Sequence, residues 1–140
     1  MAKERTITFI VTKDCQLVCK YCYLVGKNPN EKMTLDVAKK AVDKILENSY
    51  FFNEERVVWD FIGGEPLLIP HLPDLIIDAY NRGLDTRLST NGILLTEETF
   101  SKIKNHLNSI AFPFESANDE LNEKIRCTKC HRNTIISCIK

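Results

Sequence analysis

The chain has 140 residues, enough for one domain, and 44% of them are apolar, enough to build a hydrophobic core. Its 19 lysines and arginines balance its 19 aspartates and glutamates, so neither a basic arm for nucleic acid nor an acidic tail is predicted. The N-terminal apolar stretch is too short for a signal peptide and no run approaches the roughly 20 apolar residues of a membrane span, so we predict a cytoplasmic protein without nucleic-acid or membrane partners.

The first half of the chain predicts two strand–helix pairs. Residues 6–12 are β-branched and aromatic, which is typical of a strand, and residues 34–48 form a helix with Thr34 as its N-cap. The apolar run over 57–63 predicts a second strand. A second helix follows over 70–82, where the apolar residues recur on one helical face.

The second half repeats the pattern. Residues 85–92 predict a short third strand that ends in a turn, and residues 95–107 a third helix with acidic residues in its first turn. Residues 108–116 predict the fourth strand. A short helix over 118–125 follows it, and the last helix is predicted over 133–140.

Alternation of strands and helices favours an α/β fold with parallel strands, helices covering them and right-handed crossovers. In such folds the functional loops lie at the carboxyl ends of the strands. A cysteine triplet follows the first predicted strand, "GGEP" (63–66) the second and "STNG" (89–92) the third, while Glu115 and Ser116 end the fourth. We therefore expect one site at this edge of the sheet.

The cysteine triplet is Cys15, Cys19 and Cys22, in the stretch "CQLVCKYC". In a reducing compartment such cysteines point to metal binding or catalysis instead of disulfides. A [4Fe–4S] cluster usually takes four thiolates, so three on one loop would leave one iron open to a substrate or cofactor. Lys20 and Lys27 would favour the thiolates and offset the negative charge of a cluster.

Other interpretations of the triplet stay open at this point. Three cysteines together with His71, His106 or His131 could form a structural zinc site. The spacing could also be coincidental.

"CQLVCKYC", with Tyr21 before the third cysteine, resembles the CxxxCxxC signature of radical S-adenosylmethionine (SAM) enzymes. "GGEP" and "STNG" resemble further motifs of that family, in the family's order. The resemblance covers nearly the whole chain. It implies a parallel-stranded partial (β/α) barrel, of which about four of the six strand–helix units are present.

The resemblance also implies cofactors and a reaction. Cys15, Cys19 and Cys22 would hold a [4Fe–4S] cluster, and the amino and carboxylate groups of S-adenosyl-L-methionine would chelate its fourth iron. One electron passed to the sulfonium would give methionine and a 5′-deoxyadenosyl radical, which abstracts a hydrogen atom from the substrate. The protein would position these groups and exclude competing reactions.

By the same resemblance, several residues would contact SAM. Tyr21 would pack near the adenine, Glu65 would accept a hydrogen bond from the amino group, and Arg126 could pair with the carboxylate. The other members of this set are the turn residues Gly63, Gly64 and Pro66, with Ser89, Thr90 and Asn91 beside the ribose and methionine. Each has a structural alternative: a half-buried loop aromatic for Tyr21, ordinary turns for the two motifs and a solvated surface arginine for Arg126.

The motif set most resembles the peptide- and protein-modifying maturases, which usually carry a cysteine-rich SPASM or twitch extension. This implies a peptide or protein substrate and a reductant such as flavodoxin or ferredoxin. The alternative function is a non-catalytic α/β module that holds zinc or an iron–sulfur cluster. Glu115 and Ser116 stand where relatives often have an aspartate–glycine pair, which weakens any substrate role carried over to Glu115.

Residues 1–140 are thus expected to form the N-terminal portion of a radical SAM core domain, a fragment without the last strands or a cysteine-rich extension. "CTKCH" (127–131) matches a c-type haem motif, which would require export; a second metal site on Cys127, Cys130 and His131, or incidental thiols, are the other interpretations. Cys138 is expected to be an ordinary buried cysteine.

Overall fold

A computed structural model describes residues 4–24, 31–48, 56–129 and 131–139. Two residues named above, Lys27 and Cys130, lie outside the described residues. None of the described helices combines the length and the apolarity that crossing a bilayer needs.

The strands form one parallel sheet in sequence order. They are β1 (Glu4–Thr12), β2 (Arg56–Gly63), β3 (Asp85–Ser89) and β4 (Ser109–Ala111). Each pairs with the next in parallel. The predicted α/β architecture with four strand–helix units is therefore confirmed.

Helices connect and follow the strands, in the order α1 (Leu35–Glu47), α2 (Leu72–Asn81), α3 (Glu97–Ile103), α4 (Asp119–Arg126) and α5 (His131–Ile139). Short 3-10 turns cover Pro66–Leu68 and Lys104–His106. The side chains of Thr34, Thr96 and Asn118 accept hydrogen bonds from backbone N–H groups at the starts of α1, α3 and α4. Local capping thus fixes where these three helices begin.

The prediction for the fourth strand was wrong in length. We expected residues 108–116, but β4 covers only Ser109–Ala111, and Pro113 lies beyond it. Proline has no N–H to donate to a strand ladder, so the alternating aromatic pattern of Phe112 and Phe114 does not continue as a strand. Phe112 and Pro113 instead line the cavity at the end of the sheet.

The two faces of the sheet differ in polarity. Trp59, Phe61 and Leu88 point to the helices and are buried against the apolar faces of α1, α2 and α3. The alternate positions of β2 and β3 carry Asp60 and Arg87, which the register places side by side. The hydrophobic core therefore lies on the helix side, while the other face of the sheet is mixed, with Asp60 and Arg87 beside the apolar Val58 and Ile62.

Candidate functional site

The carboxyl ends of the strands surround a cavity of about 360 Å³. Its lining combines the cysteine loop with residues that follow each of the other three strands: Cys15, Leu17, Cys19, Tyr21, Cys22, Gly63, Gly64, Ser89, Thr90, Asn91, Ala111, Phe112, Pro113 and Arg126. Ten of the residues named from the sequence as metal- or cofactor-binding are among them. Two, Glu65 and Pro66, are not.

Glu65 is fully buried and uses its carboxylate inside the protein. One oxygen accepts hydrogen bonds from the Thr90 hydroxyl (2.6 Å) and the Leu67 N–H (3.0 Å), and the other from the Asn91 N–H (2.8 Å). Burial raises the pKa of Glu65, and these hydrogen bonds oppose that rise. Glu65 therefore joins the turn after β2 to the turn after β3.

Gly63 and Gly64 let the turn after β2 touch the start of the cysteine loop. The Gly64 N–H donates to the carbonyl of Thr12 (2.8 Å), and the Glu65 N–H donates to the carbonyl of Asp14 (2.7 Å). A Cβ on Gly64 would lie 2.0 Å from the Asp14 oxygen, so no larger residue fits this contact. The glycine pair thus fixes the cysteine loop against β2.

The cysteine loop carries its thiols at different depths. Cys19 is buried, whereas Cys15 and Cys22 are half-buried. The Cys15 Sγ accepts hydrogen bonds from the Leu17 N–H (3.4 Å) and the Asn91 side-chain amide (3.8 Å). Burial raises the pKa of Cys15, and a bound cation would reverse this by deprotonating the thiol.

Asn91 links three parts of the site. Its side-chain oxygen accepts hydrogen bonds from the Gln16 amide (3.2 Å) and the Ile93 N–H (3.0 Å). Its backbone carbonyl lies 3.1 Å from Nε2 of His131, a buried side chain at the start of α5. Ser89, the last residue of β3, donates its hydroxyl hydrogen bond to the carboxylate of Asp60 in β2 (3.1 Å).

Arg126 is buried, with 5% of its surface exposed, so the alternative of a solvated surface arginine was wrong. Its guanidinium donates to the Cys19 Sγ (3.6 Å) and pairs with the Glu115 carboxylate. Tyr21, 57% exposed, donates its hydroxyl to Glu115 (2.7 Å), and this bond together with partial burial raises its pKa. The four residues form one connected group beside the cysteine loop.

The donor set fits an iron–sulfur cluster better than a single zinc ion. Within the described ranges, no three His, Cys, Asp or Glu side chains converge on a point where one ion could sit. A structural zinc ion needs such convergence, whereas the three cysteines of a cubane cluster each bind a different iron. Of the proposed histidine ligands, His71 lies 3.0 Å from the Met33 carbonyl and His106 packs edge-on against Tyr80.

Sequence reasoning did not find the partners that orient the site. Asp60 contacts a predicted site residue but follows no motif, His131 was considered only as a metal ligand, and Glu115 was noted only for its departure from the family pattern. Cys127 is exposed at the end of α4, and Cys138 contacts the Gly92 carbonyl (3.6 Å) outside the cavity. Ser89 and Asp60 are 29 residues apart in the sequence, and Tyr21 and Glu115 are 94 apart. No local sequence signal therefore predicts these two hydrogen-bonded pairs.

Comparison with known protein families gives one match over most of the chain. The sequence pattern of the Radical SAM superfamily matches residues 9–140. An S-adenosylmethionine-dependent nucleotide dehydratase of Lacinutrix mariniflava is 31% identical over 131 residues, which are 89% of this chain and 26% of that protein. The radical SAM cyclopropyl synthase TigE of Paramaledivibacter caminithermalis is 25% identical over 81% of this chain and 28% of that protein.

Among solved structures, Streptococcus suis SuiB bound to the precursor peptide SuiA has a similar fold. The TM-score is 0.73 at 18% identity, over 95% of this chain and 29% of that chain. At this identity the likeness concerns the fold alone. The chain spans only about a quarter to a third of the length of these three relatives.

Proposed function

The chain belongs to the radical SAM superfamily, whose enzymes use a [4Fe–4S] cluster and SAM, and we propose that residues 1–140 are the N-terminal portion of its core domain. Cys15, Cys19 and Cys22 would hold the cluster, and the adjoining cavity would hold SAM. The observation that carries this proposal is that the three thiols open onto the same cavity as the ends of the other strands. A thiol site without that cavity would favour a structural metal.

When bound, the cluster and SAM would supply a 5′-deoxyadenosyl radical that abstracts a hydrogen atom from the substrate. The chain's own residues would position these groups. Gly63 and Gly64 shape the wall next to the cysteine loop, Asn91 orients Cys15, and Ser89 offers a hydroxyl that Asp60 holds in place. Glu65 would act by fixing these loops, since its carboxylate has no free face toward the cavity.

A peptide or protein is the substrate class that we propose first. Two observations support it: the motif set resembles that of the peptide- and protein-modifying maturases, and the fold matches that of SuiB, which was solved with a precursor peptide. The proposal includes a flavodoxin- or ferredoxin-type reductant and a cytoplasmic location.

A nucleotide is the second candidate substrate. The relative from Lacinutrix mariniflava is named as a nucleotide dehydratase, and its 31% identity to this chain is higher than the 18% of SuiB, which was solved with a peptide. Both candidates would use the same cofactor site. They differ only in the molecule from which the radical takes a hydrogen atom, a peptide or a nucleotide.

The cofactor site is tested by anaerobic reconstitution of the intact protein with iron and sulfide, followed by EPR of the reduced form with and without SAM. We expect a [4Fe–4S]⁺ signal that changes shape when SAM is added and disappears in Cys19→Ala. The control is Cys138→Ala, which removes a half-buried thiol outside the cavity and should keep the signal. A protein without a cluster, or a cluster signal indifferent to SAM, would refute the proposal.

The substrate class is tested with the same reconstituted protein. Unlabelled SAM is turned over with deuterated nucleotides or with deuterated peptides, and deuterium is measured in the 5′-deoxyadenosine formed. Deuterium from a peptide supports the first candidate, and deuterium from a nucleotide supports the second and overturns the first.

A further inference from the structure

Arg126 occupies a position between the cysteine loop and the end of β4. As the last residue of α4, it reaches Cys19 with Nη1, at 3.6 Å from the sulfur, and Glu115 with Nη2. Its Nε is buried and has no hydrogen-bond partner among the described residues. Two of the five N–H donors of the guanidinium are therefore already used by the protein.

The surroundings hold this guanidinium in one orientation. The Glu115 oxygen that pairs with Arg126 also accepts the Tyr21 hydroxyl (2.7 Å), and the guanidinium carbon lies 5.3 Å from the centre of the Tyr21 ring. The backbone adds a further link, because the Lys20 N–H donates to the carbonyl of Ile125 (3.0 Å). The C-terminus of α4 is thus docked on the cysteine loop.

A bond from a cation to a ligand sulfur has a predictable effect on a cluster. Reduction adds negative charge to the cluster and its thiolates, so a nearby N–H donor and positive charge stabilise the reduced form. The effect is larger at a buried site than in water. The negative charge of Glu115 disfavours the reduced form of the cluster, although its carboxylate orients the guanidinium of Arg126.

We propose that Arg126, oriented by Glu115 and Tyr21, is a positioning residue that raises the reduction potential of the cluster through its hydrogen bond to Cys19. The inference rests on the proposed function, because it needs the cluster to be held by the triplet. It differs from the role implied by family resemblance, in which Arg126 pairs with the SAM carboxylate.

The test is an EPR-monitored redox titration of the reconstituted intact protein in the absence of SAM. In Arg126→Gln we expect the ratio of reduced to oxidised cluster at a fixed solution potential to fall about tenfold, which is 59 mV for a one-electron couple. Arg126→Lys keeps the charge but loses the forked donors, so its potential should lie between those of Arg126→Gln and the wild type.

Two further variants separate electrostatics from damage to the fold. Glu115→Gln removes a negative charge beside the Cys19–Arg126 bond and should shift the potential in the positive direction, opposite to Arg126→Gln. Arg132→Gln is the matched control, because it removes the same charge from an arginine that pairs with the exposed Asp119 (3.1 Å) and leaves Cys19 untouched. Its potential should equal that of the wild type.

The outcomes discriminate between this inference and the proposed function. Equal potentials in wild type and Arg126→Gln, with weaker SAM binding in the variant, would overturn the inference and leave the cofactor site intact. If Arg126→Gln takes up no cluster, Arg126→Lys decides, and a potential equal to that of the wild type overturns the inference. A wild-type protein that forms no cluster refutes the proposed function and the inference with it.

Discussion

At the scale of single residues, two buried polar groups hold the loops of the site together. Glu65 connects the turns after β2 and β3 through three hydrogen bonds, and His131 contacts the backbone of Asn91. Removing one partner of a buried polar pair exposes the other to an apolar surrounding, which costs more than the bond itself contributes. These residues should therefore show their role in stability as well as in cofactor binding.

Glu65→Gln should destabilise the fold by about 1–3 kcal/mol. The amide keeps the shape of the carboxylate but brings an NH₂ group toward a backbone N–H, so one buried donor loses its acceptor. Urea unfolding of the intact protein measures the difference. The control is Glu98→Gln, at an exposed position paired with Lys102, where the loss should stay below about 1 kcal/mol. Equal losses in both variants would contradict the role assigned to Glu65.

His131 should make stability depend on pH. Burial, with a smaller contribution from the Arg126 charge, lowers the pKa of His131, and its Nδ1 has no partner among the described residues. The unfolded chain therefore binds a proton at higher pH than the native protein does. The stability that neutral His131 contributes to the native protein is fully present above the unfolded pKa of about 6.5. It is lost as the pH falls from there toward the lower native pKa.

The measurement compares urea unfolding of wild type and His131→Gln from pH 8 to pH 5. Below about pH 6.5 the wild type should lose stability by as much as about 1.4 kcal/mol per pH unit relative to the variant. Glutamine can still donate to the Asn91 carbonyl but cannot take up a proton. Parallel profiles for the two proteins would show that His131 does not charge on unfolding.

At the scale of elements, the site depends on contacts between one loop backbone and the next. The glycines of "GGEP" line the cavity, and the approach of their backbone to SAM stays a prediction. The structure adds a second reason for glycine, because the backbone of Asp14 lies against Gly64 and that of Thr12 against Gly63. The motif could be located from sequence because it follows a strand. The neighbour that requires glycine could not, because that neighbour belongs to a different loop.

Gly64→Ala should both destabilise the protein and disturb the cysteine loop. Its Cβ would overlap the Asp14 carbonyl, a backbone group, so the loop has to shift, with a cost of about 1–3 kcal/mol and a lower iron and sulfide content after reconstitution. Gly83→Ala is the control, since its Cβ would meet no atom and only the positive φ of 88° is strained. Gly83→Ala should lose stability but keep the full iron and sulfide content. If Gly64→Ala also keeps the full content, the contact between Gly64 and Asp14 does not hold the cysteine loop in place.

Element boundaries were predictable where a side chain marks them. Thr34 and Thr96 cap α1 and α3 close to the predicted starts, and Gly83 follows the end of α2. The end of β4 was not predicted, because Phe112 and Phe114 continue the alternating pattern that is typical of a strand. Pro113 ends the ladder by its missing N–H, and sequence alone did not show which of the two signals prevails.

At the scale of the whole molecule, the parallel sheet covered by helices followed from the alternation of strands and helices along the chain. The network of Arg126, Glu115, Tyr21 and Cys19 did not, because its members lie up to 107 residues apart and meet only in the finished fold. Motifs predicted which loops form the site. The side chains that orient them depend on how the loops pack on one another.

A cavity assembled from distant loops should couple ligand binding to global stability. Its lining comes from the cysteine loop and from the ends of β2, β3 and β4, so unfolding disperses the site completely. A ligand that binds only the native state stabilises it by about 2.7 kcal/mol at a concentration 100 times its Kd. SAM at that excess should therefore raise the midpoint of anaerobic urea unfolding of the reconstituted protein.

Two comparisons make this last prediction specific. Asn91→Ala removes a side chain that lines the cavity and contacts the Cys15 sulfur, so a given SAM concentration should stabilise this variant less than the wild type. Protein without reconstituted cluster should gain less from SAM as well, because the proposed site places one iron among the groups that hold SAM. Equal stabilisation with and without the cluster would mean that SAM binds independently of the cysteine triplet, and the assignment of one shared site would fail.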